Sequence, residues 1–192
     1  MASPSYRKKK YKVNPTTVKV TQAGLFTAVI FVFTMFVKIP VYTGYVHLGD
    51  AFIYLYAAMG GGVWALLAGS LGAALADLAG GFGAYAIPTV IIKALVALPF
   101  VLAARHQEKI LNLWTGLMNL VAAIISTGGY FIANYILFRD TAVASIPFTI
   151  LQAAGSTVVF LLAAAALDRA GMKQRMLSYT GRPTEKKAEV HS

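Results

Sequence analysis

Apolar runs of about spanning length recur along almost the whole of this chain, and charge is confined to the gaps between them and to the two ends. A bilayer-crossing helix needs roughly 20 mostly apolar residues, and fewer where a bundle thins the membrane. The first run, 18–39, stops at Pro40, which cannot continue a helix. The stretch 51–79 is too long for one ordinary span and is broken by Gly60-Gly61-Gly62, which predicts two short helices over 50–59 and 63–78. Further spans are predicted over 84–104, 113–138 and 144–167, the last stopped by Asp168-Arg169. A Tyr- and Gly-rich loop, 41–49, separates the first two helices. The expected organisation is a basic segment over 1–17, a six-helix bundle over 18–170, and a basic tail over 171–192 with a disordered end.

Composition agrees with an all-α, polytopic membrane protein. Hydrophobic residues make up 58% of the 192 and charged residues only 12%, against about 25% charged in an average soluble domain. The missing charge means that most of the surface cannot face water. With no cysteine, disulfides, thiolate metal sites and Cys nucleophiles are excluded. The apolar run near the N-terminus has no small-x-small cleavage site after it, which predicts an uncleaved first span.

The net charge of +10 points to lipid and not to nucleic acid, because no basic folded face with interleaved aromatics accompanies it. The N-terminal segment carries Arg7, Lys8, Lys9, Lys10, Lys12 and Lys19; the loop after the fourth span carries Arg105 and Lys109. The tail carries Arg169, Lys173, Arg175, Arg182, Lys186 and Lys187. All of these fall on one side of a six-span topology, against Lys38 and Arg139 on the other. Positive charge gathers on the cytoplasmic side, so both termini are expected inside a cell membrane, with a bacterial plasma membrane as the expected location.

Ionisable groups at mid-helix cost about 2.5–3.5 kcal/mol on insertion scales and are functional suspects for that reason. In this topology Asp50, Asp77, Lys93, Tyr130, Asn134 and Gln152 all fall in the outer half of the bundle, with Tyr45 and His47 on the outer loop. Polar groups from five helices and a loop at one depth describe a pocket open to the outside. Tyr42, Tyr45, Tyr54, Tyr85 and Tyr130 are candidates to stack on a flat ring. Simpler roles compete: Asp50 as a helix cap, Lys93 and Asp77 as a neutralised pair, the tyrosines as interfacial anchors. A second pattern, Gly24-xxx-Ala28 and Ala65-xxx-Gly69-xxx-Ala73, permits close helix approach, either inside the bundle or against another membrane subunit.

Several chemistries are absent. There is no GxxxxGK[ST] loop and no HExxH. Ser70 and Ser156 sit among small residues with no histidine on any span, so intramembrane proteolysis is not expected. Catalytic residues, metal ligands and resident cofactors are not expected either.

The segments Gly44-Tyr-Val-His-Leu-Gly-Asp50, Gly60-Gly-Gly-Val-Trp-Ala65, Ala73-Ala-Leu-Ala-Asp-Leu-Ala-Gly-Gly81, Tyr85…Pro88-Thr…Lys93 and Asn134-Tyr135 resemble S components, the substrate-capturing subunits of energy-coupling factor (ECF) vitamin transporters. The resemblance covers about residues 18–170 and is nearest to the riboflavin, pyridoxine and hydroxymethylpyrimidine carriers. It implies a six-helix bundle that takes up a vitamin near its outer face and associates with a transmembrane coupling subunit and two ATPases. ATP would then be used by the partners and not by this chain. It also implies docking through small residues on spans one and three, here Gly24, Ala28, Ala65, Gly69 and Ala73. A cation and a carboxylate at the pocket would suit a small polar heteroaromatic such as pyridoxine or hydroxymethylpyrimidine. The rival readings are a self-sufficient secondary carrier, which would usually show inverted repeats that this chain lacks, and a structural membrane subunit without ligand.

Overall fold

A computed structural model of the chain describes residues 14–41 and 44–180. Seven helices account for nearly all of it: α1 (Pro15–Met35), α2 (Gly49–Tyr56), α3 (Val63–Ala79), α4 (Ala86–Ala103), α5 (Leu113–Phe138), α6 (Ala142–Arg169) and α7 (Met172–Tyr179). A two-stranded antiparallel hairpin, β1 (Lys38–Val41) and β2 (Gly44–His47), joins α1 to α2 and pairs Lys38 with His47 and Pro40 with Tyr45.

The local sequence accounts for the ends of these elements. Pro15 occupies the first turn of α1, where its missing N–H costs nothing, and the Asn14 side chain accepts from the Thr16 amide at 2.9 Å. Asn112 and Thr115 form a reciprocal capping box at the start of α5. Between α2 and α3 the helix widens into one π turn, Ala57–Gly61, and then breaks. Gly60 (φ 96) and Gly62 (φ 60, ψ −137) carry the break in conformations that a side chain would strain.

The five longer helices form a wall in the order α1, α3, α4, α5, α6, and α2 packs inside it against α1, α3, α4 and α6. Seven of the eight residues of α2 are buried. Tyr54 of α2 stacks on Phe100 with ring centroids 4.6 Å apart, and Phe160 of α6 meets both edge-on. Tyr54, expected among the residues facing a ligand, is therefore a core residue. The outside of the wall is apolar: Leu25, Ile87, Ile124 and Leu162 are each more than 60% exposed, which is stable against acyl chains and not against water.

Among the described residues four helical segments are long and apolar enough to cross a membrane: Pro15–Met35, Gly83–Ala103, Leu113–Phe138 and Ala142–Arg169. The apolar α3, with 17 residues, is shorter, and α2 with its π turn is shorter still. The chain nevertheless alternates between two ends. The hairpin, the turn before α4 and the α5–α6 junction share one end, and the α2–α3 break and the α4–α5 loop share the other.

Three features differ from expectation. Helix α1 ends at Met35, before the predicted limit, because the chain turns into the hairpin ahead of Pro40. The loop expected over 41–49 is largely strand. The segment after Gly171 contains α7, whose Lys173 ammonium donates to the Lys109 carbonyl at 3.2 Å. Residues 1–13, 42–43 and 181–192, including Tyr42 and much of the basic charge at both ends, lie outside the described residues.

Candidate substrate-binding site

The hairpin end holds a cavity of about 70 Å³ between β1–β2, α3, the turn before α4, α5 and α6. Tyr45 and His47 reach it from β2, Asp77 from α3, Tyr85 from the turn before α4, Tyr130 and Asn134 from α5, and Gln152 from α6. Seven of the eleven residues singled out for a ligand thus share one wall. Lys93, Asp50 and Tyr54 do not line it and are buried, and Tyr42 lies outside the described residues.

The competing reading, a neutralised pair of Lys93 and Asp77, is not what forms. The Lys93 ammonium lies 2.7 Å and 2.9 Å from the two oxygens of Asp50. Gln152 donates to the same carboxylate at 3.0 Å and accepts the His47 amide at 3.2 Å, so the hairpin is tied to the ion pair beneath it. Removing water from two charges is expensive, and the cost is offset only when pairing and further hydrogen bonds are complete. Here Gln152 supplies one such bond, and the face of Tyr130 lies 5.0 Å from the ammonium.

Asp77 has a different set of partners. Tyr45 donates its hydroxyl to one carboxylate oxygen and Thr89 donates to the other, each at 2.5 Å. Because the single proton of Thr89 is used there, the 3.1 Å contact with Tyr130 must be a bond donated by the tyrosine. On the next turn of α5, Asn134 accepts from Tyr85 at 2.5 Å and donates to the Tyr130 carbonyl at 2.8 Å.

His47 is held in one protonation state. Burial lowers its pKa to about 4, although Asp50 pulls the other way. Its Nδ1 accepts the Gly49 amide at 3.1 Å, so the ring proton sits on Nε2 and is available as a donor. Burial and the neighbouring Asp77 raise the pKa of Tyr45, which keeps that hydroxyl protonated.

The lining also includes residues that the sequence did not single out: Phe82, Phe148, Ser145 and Thr149. Helical spacing marks two of them and also Thr89, the partner of Asp77. Thr89 stands one turn before Lys93 on α4, and Thr149 and Ser145 stand three and seven residues before Gln152 on α6, hence on the same faces. Phe82 follows the double glycine in a turn and carries no such signal.

The small-residue runs separate in space. Ala65, Gly69 and Ala73 are buried inside the bundle, and a Cβ on Gly69 would come within 3.0 Å of Ile53 in α2. Of the two readings the spacing allowed, packing inside the bundle or docking to another subunit, these buried positions fit the first: they let α3 approach its neighbours. Gly24 and Ala28 are exposed on α1, with open space around a Cβ built on Gly24.

No curated protein and no solved structure gave a match. A family model described as "ECF-type riboflavin transporter, S component" matches residues 14–169, a span that takes in α1 to α6 and every side chain lining the cavity. A bundle of apolar helices enclosing a polar pocket at one end is what a membrane-embedded substrate-binding subunit needs, and by that match this chain is a multi-pass membrane protein belonging to the ECF-type S-component family.

Proposed function

We propose that the chain is the capture subunit of an ATP-driven vitamin uptake system, crossing the membrane six times with both termini in the cytoplasm and its pocket facing outward. The alternation of the chain between the two ends of the bundle supports an even number of passes. Helix α2 need not be long enough to meet lipid on its own, because its neighbours enclose it. Basic residues at the end opposite the hairpin fit the cytoplasmic side. A transmembrane coupling subunit and two ATPases would complete the system, with the exposed Gly24 and Ala28 on α1 as the docking contact.

The observation that carries this reading is the convergence of hydrogen-bonding side chains from β2 and four helical segments on one cavity in an otherwise apolar bundle. Such a cavity orients a small ligand by a few placed polar groups. Its size favours one ring. At about 70 Å³ it is smaller than the roughly 150 Å³ that takes up benzene in an engineered protein core, so even a single ring must displace side chains such as Phe82 or Phe148. Pyridoxine or hydroxymethylpyrimidine is the favoured ligand. Riboflavin is the second reading, favoured by the description of the matching family model, and would require the hairpin to move further.

Calorimetry on the purified chain with pyridoxine, hydroxymethylpyrimidine and riboflavin tests the assignment. Binding at micromolar Kd or tighter is expected for one of them. Gln152→Ala, which cuts both the tie to the hairpin and a polar contact in the cavity, is expected to weaken it by about tenfold or more, the scale of one buried hydrogen bond with an unsatisfied partner. No heat with any of the three, or full affinity in the variant, would end the capture reading at this cavity.

A further inference from the structure

We propose that Asp77 sets the charge class of the ligand: the pocket takes a neutral or cationic ring bearing an amine and rejects the phosphorylated or carboxylated forms of the same compound. The inference rests on the capture reading above and deepens it.

Among the described residues no Lys or Arg lines the cavity. Lys93, the nearest cation on the helices, is bound to both oxygens of Asp50 and fully buried. Lys38 stands outside the lining on the face of Tyr45, 4.7 Å from the ring centroid, and 5.8 Å from that of Phe82. His47 is neutral and offers only an N–H. Among the described residues Asp77 therefore brings a carboxylate to the wall without an ion-pair partner.

Its two hydrogen bonds come from hydroxyls, Tyr45 and Thr89, which stabilise a negative charge without cancelling it. Each carboxylate oxygen can accept more than one hydrogen bond, so capacity remains on the cavity side. At a carboxylate as buried as Asp77, a ligand ammonium or amino group gains a charge-assisted bond. An anion placed there meets like charge at low effective dielectric, with no cation in the wall to relieve it. The ring N–H of His47 can serve a ring nitrogen, and the tyrosine oxygens, whose protons are already given to Asp77, Thr89 and Asn134, can only accept, so nothing in the wall neutralises a phosphate.

The test compares matched ligands on the same purified chain. Pyridoxamine, pyridoxine and pyridoxine 5′-phosphate share one ring, as do 4-amino-5-hydroxymethyl-2-methylpyrimidine and its 4-hydroxy analogue. In at least one series the amine is expected to bind about tenfold or more tighter than the hydroxyl compound, and the phosphate ester about a hundredfold weaker than its parent alcohol. In Asp77→Asn the preference for the amine should shrink to within about threefold. Equal affinities in the wild-type chain, a phosphate ester that binds as well as its alcohol, or a preference that survives in Asp77→Asn would each overturn the proposal while leaving the capture reading intact. Should neither series nor riboflavin bind, both fall together. If Asp77→Asn does not fold, the wild-type ratios decide the matter.

Discussion

At the scale of single residues, two buried polar clusters lie side by side and differ in what they leave available. Lys93 and Gln152 both reach the Asp50 carboxylate, and Gln152 fixes the hairpin through the His47 amide. Asp77, Tyr45, Thr89 and Tyr130 form a chain of hydroxyls ending on a carboxylate at the cavity surface. His47 sits between them, facing Asp50, Lys93 and Lys38 and packed against the Tyr45 ring at 5.6 Å. Its folded pKa of about 4 lies below the unfolded 6.5, so the unfolded chain binds a proton that the folded chain refuses. Stability from this source is complete above pH 6.5 and is lost as pH falls towards 4, by on the order of 3 kcal/mol at the lower limit. Thermal melts of the purified chain should therefore fall across that window. In His47→Asn, whose side-chain carbonyl can still accept the Gly49 amide, the fall should be shallower. Parallel curves would show that His47 is not the group responsible.

At the scale of elements, close approach of α1 and α3 depends on Gly72, where a Cβ would come 2.7 Å from the Thr27 carbonyl oxygen and 3.0 Å from Ile30. Gly116 on α5 has open space at the same test. Gly72→Leu should lower the melting temperature by several degrees or more, as overpacking of about 1–3 kcal/mol does, whereas Gly116→Leu should leave it nearly unchanged. Equal melting temperatures for the two variants would mean that the helices yield.

The same elements show what a sequence of this kind reveals. Helix α5 falls on its predicted limits because hydropathy and the Asn112 cap coincide there. The break at Gly60–Gly62 was readable because three glycines have no other use inside an apolar run. The hairpin was not, since Lys38-Ile-Pro-Val has no polar–apolar alternation and contains a proline that suits only an edge strand. The partner of Lys93 was also hidden. Depth placed Asp50 and Asp77 alike within its reach, and the choice between them depends on helix rotation and on the inward position of α2, which no periodicity in eight residues encodes. For Ala65, Gly69 and Ala73 the spacing was legible but the neighbour was not: one small-residue stripe serves an internal helix as well as a foreign one.

At the scale of the whole molecule, the fold sets a polar pocket at one end of an apolar cylinder, and the direction of that end decides whether the chain captures from outside or releases inside. The sequence makes the question easy to put, because it contains no cysteine. A single introduced thiol is then the sole target for a membrane-impermeant maleimide. Ile39 on β1 is 68% exposed at the hairpin end, and Glu108 is exposed in the α4–α5 loop at the opposite end. Neither lines the cavity. On intact cells Ile39→Cys should label readily, while Glu108→Cys should label only after the membrane is opened. The reverse pattern would turn the pocket inward and remove the basis for uptake. Labelling of both on intact cells would mean that the chain does not alternate across the bilayer as α1 to α6 alternate between the two ends of the bundle. The outcome depends on α2 and α3 each carrying the chain from one membrane face to the other. That step is physically open to such short helices because α2, enclosed by α1, α3, α4 and α6, is solvated by protein and need not match the hydrocarbon thickness that sets the length of a lipid-exposed helix.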